Sequence, residues 1–103
     1  MSVVTNVVFK TSVGDKGRIV KLNAAFQAGK KFASCDDESL ERGWYAGDKM
    51  LECEVYPGAF NNLQLAVLIE AIRKVEWDDP GSVQLFVQEQ EDARLREVDL
   101  GLL

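Results

Sequence analysis

Alternating apolar and polar residues at the start of the chain predict a β-strand. In residues 3–13 every second residue is apolar or a threonine, which is the period of two of a strand with one buried face. The glycines within residues 14–17 suit a turn, and the β-branched residues within 18–22 suit a second strand. The pattern therefore predicts a β-hairpin.

The segment that follows is compatible with two structures. In residues 23–35 the alanines and phenylalanines fit either a short helix capped by Asn23 or a continuation of the preceding strand. The acids Asp36, Asp37 and Glu38 suit the first turn of a further short helix, because carboxylates there complement the helix dipole.

A second alternating run covers residues 49–57. One side of this predicted strand carries Leu51, Cys53 and Val55, and the other carries Glu52, Glu54 and Tyr56. Glu52 and Glu54 could share a hard cation, but a solvent-facing strand surface shows the same pattern. We interpret both glutamates as solvated and predict no metal site.

The strongest helical signal covers residues 59–77. One apolar face contains Leu65, Leu68, Ile69, Ile72 and Val75, and an adjoining apolar stripe contains Phe60, Leu63, Val67 and Ala71. One sheet face is not enough to cover both, so we expect either residues 23–42 or a second copy of the chain to cover the stripe. In the second case Phe60, Leu63 and Val67 form the interface of a homodimer.

Two more strands are predicted at residues 83–88 and 95–100. The element order is then β-β-(α)-β-α-β-β. This order describes a two-layer α+β fold, in which a mixed or antiparallel sheet of about five strands packs on one principal helix. The length of 103 residues suits a single domain spanning residues 1–103.

Charge is distributed unevenly along the chain. Residues 1–34 contain six basic residues and one acid, whereas residues 35–103 contain six basic residues and sixteen acids. Either the basic part is a nucleic-acid footprint, or neighbouring strands bring the two signs together. We favour the second interpretation. The net charge of −5 opposes approach to phosphates, and Phe9, Phe26 and Phe32 suit a core better than base stacking.

Residues that usually carry catalysis are scarce. The chain has no histidine, which is the commonest general base and the usual activator of a serine or cysteine nucleophile. The two cysteines, Cys35 and Cys53, are too few for a structural zinc site, and we expect reduced thiols with at least one buried. We predict no catalytic residue and no cofactor, and we expect a protein that is not an enzyme.

The longest apolar run, residues 65–69, is far shorter than the roughly 20 residues of a transmembrane helix. The first residues lack the basic and then apolar pattern of a signal peptide. We therefore expect no membrane insertion and a cytoplasmic location.

Trp44 and Tyr45 stand side by side between two glycines. Either they close one end of the core, or one ring is exposed as an anchor for a partner. In the second case the exposed ring and the nearby acids Asp36, Asp37 and Glu38 form a surface for a basic protein partner.

In size, charge and class the chain is similar to small bacterial immunity proteins, the acidic partners of often basic toxins, although no particular residue carries the similarity. A phage-encoded or accessory binding subunit fits equally well. We predict a small acidic protein-binding module or inhibitor that acts by stoichiometric association. The alternative is an oligomeric structural subunit with the helix of residues 59–77 buried between protomers.

Overall fold

The computed structural model describes residues 3–26, 29–35, 47, 49 and 51–102. The strands are β1 (Val4–Ser12), β2 (Cys53–Asn61), β3 (Gln84–Gln88) and β4 (Arg96–Val98), and the helices are α1 (Ile19–Ala25) and α2 (Leu65–Lys74). Short 3-10 helices cover Val13–Arg18 and Pro80–Ser82. The described residues thus form an α+β fold, as predicted, but with four antiparallel strands and two α-helices.

β1 lies inside the sheet, and its alternation follows the predicted pattern. The strand order is β2-β1-β3-β4, and each neighbouring pair is antiparallel. Because β2 and β3 both run opposite to β1, they are parallel to each other, and α2 lies in the connection between them.

The core lies between the inner face of the sheet and the two helices. Its fully buried apolar side chains come from both layers: Val7, Phe9, Leu85 and Val87 from the sheet, and Leu22, Leu68 and Ile72 from the helices. The ring of Phe9 has centroid distances of 5.7, 5.9 and 5.7 Å to Phe32, Tyr56 and Trp77. The predicted apolar face of α2 therefore does face the core.

The predicted second strand at residues 18–22 is wrong, because the chain forms α1 there. It leaves β1 through a 3-10 helix, in which the buried carboxylate of Asp15 accepts hydrogen bonds from the backbone N–H groups of Asp78 and Asp79 at 2.7 and 3.1 Å. Leu22 of α1 is 0% exposed in the core. These long-range contacts outweigh the local β-propensity of the segment.

Within residues 23–35, the first three residues form the end of α1, and Phe26 and residues 29–35 lie beyond the helix. The side chain of Asn23 pairs with the backbone of Phe32, donating to its carbonyl at 3.0 Å and accepting from its N–H at 2.7 Å. The rings of Phe26 and Phe32 lie 5.6 and 5.4 Å from the ring of Phe60. Part of this segment therefore covers Phe60, one of the four residues of the predicted second stripe.

β2 has the predicted period of two, but its faces are exchanged. Glu54 and Tyr56 point inward and are 5% and 1% exposed, whereas Val55 lies on the outer side. The prediction that Glu54 is solvated is therefore wrong. Its carboxylate accepts a hydrogen bond of 2.7 Å from the Ser34 hydroxyl and lies 3.8 Å from the Lys16 ammonium group, and these contacts stabilise the buried charge.

The predicted main helix begins too early, because residues 59–61 belong to β2 and the helix begins at Leu65. Pro57 does not break β2. The strand lies at the edge of the sheet, where a residue without an N–H group need not cost a ladder hydrogen bond. A Cβ atom added at Gly58 would lie 2.7 Å from the Phe60 ring, so the glycine lets that ring approach the strand.

Candidate functional site

The outer face of the sheet carries apolar side chains on the side opposite the core. Val8 lies opposite Pro57 on β2 and opposite Phe86 on β3. We call these three residues the outer row. Val8 and Phe86 are half-buried, Pro57 is exposed, and none of the three belongs to the core cluster. The outer row is therefore an apolar surface that a partner could contact.

Polar side chains flank the outer row. Asn6 and Lys10 lie beside it on β1, and Gln84 and Gln88 lie beside it on β3. The Asn6 amide donates to Gln88 Oε1 at 3.4 Å. An apolar centre with a polar rim is the usual organisation of a surface that binds another protein.

The two edges of the sheet differ. At β2, the backbone N–H of Cys35 donates to the carbonyl of Val55 at 2.9 Å, and Pro57 has no N–H group. At β4, Arg96 and Glu97 are exposed, and within the described chain only β3 forms backbone hydrogen bonds with the strand. Among the residues that the structure describes, the β2 edge is thus partly covered, whereas the β4 edge is open.

A buried carboxylate holds the start of the 3-10 helix against the loop after α2. Besides the N–H groups of Asp78 and Asp79, Asp15 accepts a hydrogen bond from the Ser12 hydroxyl at 3.1 Å and lies 3.2 Å from the Arg18 guanidinium. Burial by itself raises the pKa of Asp15, but these four partners outweigh burial and hold that pKa below its ordinary value. Both oxygens are engaged in the fold, so we assign Asp15 a structural role.

Tyr56 lies in the same corner of the core. Its hydroxyl is buried and has no hydrogen-bond partner among the described residues. Burial raises the pKa of Tyr56, and the negative charge of Glu54 raises it further. The phenol therefore stays protonated near neutral pH.

The acidic residues of the described segments do not converge on one point. No group of three or more cysteine, aspartate or glutamate side chains there is placed to hold a metal ion. Glu52 is exposed, whereas Glu54 is buried and contacts Ser34 and Lys16, so the two carboxylates lie in different environments. Cys35 and Cys53 are free thiols, and Cys35 is buried, as predicted.

The predicted partner-binding residues Asp36, Asp37, Glu38, Trp44 and Tyr45 lie outside the described residues. The surface that we expect them to form stays a prediction.

The three predicted interface residues do not form one helical stripe. Phe60 lies in β2 and contacts two other aromatic rings, and Leu63 packs partly buried against the core. Val67 lies on α2 and is 37% exposed. Of the three, Val67 offers the most surface to a second copy, and the homodimer stays a prediction.

The phenylalanines considered for base stacking are all buried: Phe9, Phe26 and Phe32. Two of the basic residues are paired with acids, Lys16 with Glu54 at 3.8 Å and Arg18 with Asp15 at 3.2 Å. Some of the opposite charges therefore meet in space, and no aromatic platform for bases accompanies the basic segment in the described chain.

Comparison of the chain with protein-family models, with curated proteins and with solved structures returns no match. In the part of the chain that the structure describes, no helix combines the length and the apolar content needed to cross a bilayer.

Sequence reasoning did not identify Asp15 or the outer row. A signal for Asp15 exists, since it is the single acid among residues 1–34 and lies in a glycine-rich turn. A signal for the outer row exists as well, because Val7 and Val8 on β1, like Leu85 and Phe86 on β3, place apolar side chains on both faces of a strand. Such strands indicate that the second face is also covered or binds a partner.

Proposed function

We propose that this protein is a small acidic protein-binding module that associates stoichiometrically with a basic protein partner, as an inhibitor or an accessory subunit. The observation that carries the proposal is the outer row. Burial of this apolar surface against a partner is favourable by about 25 cal/mol per Å². Phe86 is the natural anchor, because aromatic side chains at the centre of an interface contribute most to binding.

The charge of the described surface supports a basic partner. Within residues 76–99, exposed acids outnumber exposed basic residues: Glu76, Asp78, Asp79, Glu89, Glu91, Asp92, Glu97 and Asp99 against Arg94 and Arg96. Acids around a binding surface attract a basic partner and raise the association rate more than the affinity. In this proposal Asp36, Asp37 and Glu38 add to the same field, and Trp44 or Tyr45 supplies a further anchor.

The test begins with stoichiometric capture of the partner from the cells that make this protein, followed by affinity measurements on the purified pair. We expect Phe86→Ala to weaken binding by about 2 kcal/mol. Val8→Thr and Val20→Thr form a matched pair, because both exchange a methyl group for a hydroxyl. Val8 belongs to the outer row, whereas Val20 lies on α1 and is 69% exposed.

Val8→Thr should therefore weaken binding and Val20→Thr should not, while both variants keep the melting temperature of the wild type to within a few degrees. Equal affinities for the wild type, Phe86→Ala and Val8→Thr would show that the outer row is not the binding surface. The absence of any stoichiometric partner would argue against the module itself.

The exposure of Val67 favours a second candidate, the oligomeric structural subunit. In that case α2 contacts a second copy through Val67, and self-association precedes or replaces binding of another protein.

A further inference from the structure

The alternation of hydrogen bonds across the sheet identifies the outward-facing backbone groups of β4. In an antiparallel ladder, bonded and non-bonded pairs alternate. The carbonyl of Val55 points away from β1, because it accepts the Cys35 N–H group, so the opposing residue Lys10 bonds toward β3. Lys10 lies opposite Gln84, so Gln84 and, two residues later, Phe86 bond toward β1. Glu97 lies opposite Phe86, and its N–H and C=O groups therefore point away from the sheet.

β4 is held firmly although it is short. Val98 packs against the core, and Leu100, just beyond the strand, is 5% exposed. The guanidinium of Arg73 on α2 donates to the carbonyl of Leu100 at 2.8 Å. An edge strand fixed in this way is already in the conformation that pairing requires, so little ordering cost remains on this side of an interface.

The surroundings of β4 are acidic. Residues 89–99 contain five exposed acids and two exposed arginines. One arginine, Arg96, lies 3.9 Å from the carboxylate of Glu89, so its charge is partly balanced locally. Leu95 beside the strand is 48% exposed and adds an apolar contact. The edge therefore combines open backbone groups, a negative field and an apolar side chain.

We propose that β4 binds an extended, lysine- or arginine-bearing segment of a protein partner, which adds to the sheet as a fifth strand next to Glu97. This inference rests on the proposed function and specifies how the partner binds. Addition of a strand takes its affinity from main-chain hydrogen bonds and its selectivity from side chains at alternate positions.

The same charges disfavour a second copy of this chain as the occupant. Pairing of two β4 edges would bring two sets of carboxylates together, and like charges facing each other across strands are unfavourable. Charged residues on a short edge strand are a common protection against self-pairing. The excess of exposed acids around β4 therefore favours a basic segment over an acidic one.

The probe for this edge is a short peptide of alternating lysine and valine, compared with an alternating glutamate and valine peptide of the same length. Binding is followed by backbone amide shifts and by protection of the Glu97 amide from hydrogen exchange. We expect saturable, salt-sensitive binding of the lysine peptide with the largest changes at β4, and no comparable binding of the glutamate peptide.

Two variants of one residue separate charge from backbone pairing. Glu97→Gln removes the charge and keeps the outward N–H group, whereas Glu97→Pro removes both. The proline should be tolerated for the reason that Pro57 is tolerated in β2, since the missing N–H group does not pair within the sheet. Relative to Glu97→Gln, we expect Glu97→Pro to bind the lysine peptide about tenfold more weakly. Unchanged amide shifts in β1 verify that the variant is folded.

Equal binding by the two variants, equal binding of both peptides, or no saturable binding of the lysine peptide to the wild type would overturn the proposal. If Glu97→Pro is unfolded, Glu97→Gln and the protection of the wild-type Glu97 amide decide the question. The proposed function is tested separately: a captured partner that is lost on Phe86→Ala but retained on Glu97→Pro leaves the binding module intact and rejects the edge.

Discussion

Carboxylates in two regions of this molecule have opposite roles. Asp15 is 0% exposed, and each of its oxygens has two partners. Glu91 and Glu97, near and in β4, are exposed to solvent. A buried carboxylate with all its hydrogen bonds made is costly to disturb, whereas exposed ones contribute little to stability and act mainly through their field.

The acids of this chain therefore have two effects that the sequence alone does not distinguish: buried acids stabilise the fold, and exposed acids produce a negative field around the molecule. Only the exposed acids should be counted when that field is considered. In the described chain Asp15 and Glu54 are buried and paired with Arg18 and Lys16. In the proposed complex, the exposed acids of residues 76–99 are the ones that attract the partner.

The largest expected effect is the loss of Asp15. In Asp15→Ala the N–H groups of Asp78 and Asp79 lose their acceptor, and Arg18 loses its counter-charge. We expect the free energy of unfolding to fall by about 3 kcal/mol. Chemical denaturation measures it, with Glu91→Ala as the exposed control, which should change stability by no more than about 0.5 kcal/mol. Similar losses in both variants would remove the distinction between the two regions.

The stability that Asp15 contributes also depends on pH. The folded pKa of Asp15 lies below the unfolded value of 3.8, so its contribution is fully present above pH 3.8 and is lost as pH falls through the folded pKa. The stability difference between the wild type and Asp15→Asn should therefore stay constant above pH 3.8 and shrink below it. Urea denaturation at several acidic pH values measures the difference. A gap that widens toward low pH would contradict the lowered pKa.

Strands whose pattern is set by local alternation were predictable from the sequence. β1 and β3 match the predicted runs closely, and β4 lies within the predicted residues 95–100. The apolar face of α2 was predictable for the same reason, since its period reflects one layer packing on one face.

Features that depend on distant contacts were not predictable. α1 replaces a strand because Asp15 is bound by residues more than sixty positions away. The faces of β2 are exchanged because Ser34 and Lys16 stabilise the inward carboxylate of Glu54. Pro57 does not end β2 because the strand lies at an edge, and local sequence does not reveal which strand that is.

A binding effect of intermediate size is expected at the predicted aromatic anchor. Whichever of Trp44 and Tyr45 is exposed, its replacement by alanine should weaken partner binding by about 2 kcal/mol, mostly through faster dissociation. Neutralising Asp36, Asp37 and Glu38 should instead slow association and reduce its salt dependence. Surface plasmon resonance separates the two rates. If both aromatic substitutions unfold the protein, the pair belongs to the core.

A smaller effect on folding is expected at the predicted dimer contact. We expect sedimentation at micromolar concentration to show a homodimer, and Val67→Glu to convert it to a monomer. Because Val67 is 37% exposed, the substitution should leave the unfolding free energy of the subunit within about 1 kcal/mol. Ala66→Glu, exposed on the same helix, is the control. A wild-type monomer would mean that the exposed side chain of Val67 is not part of an interface between copies.

The smallest effect is expected at Tyr56, a buried polar group that contrasts with Asp15. The Tyr56 hydroxyl has no hydrogen-bond partner in the described chain, so Tyr56→Phe removes no hydrogen bond there. Asp15→Ala, in contrast, removes three. We expect a change in unfolding free energy of less than about 0.5 kcal/mol at neutral pH.

The pH dependence gives a second test of Tyr56. Burial raises its folded pKa above the unfolded value of 10.0, so the stability that it contributes is fully present below pH 10.0 and is lost as pH rises through the folded pKa. The wild type should therefore lose stability relative to Tyr56→Phe in alkaline solution, where all other titrating groups are shared. Denaturation of both proteins on either side of pH 10.0 measures the difference. A loss of more than about 1 kcal/mol at neutral pH would instead show that the hydroxyl has a partner in the folded protein, since removing one partner of a buried hydrogen bond costs that much.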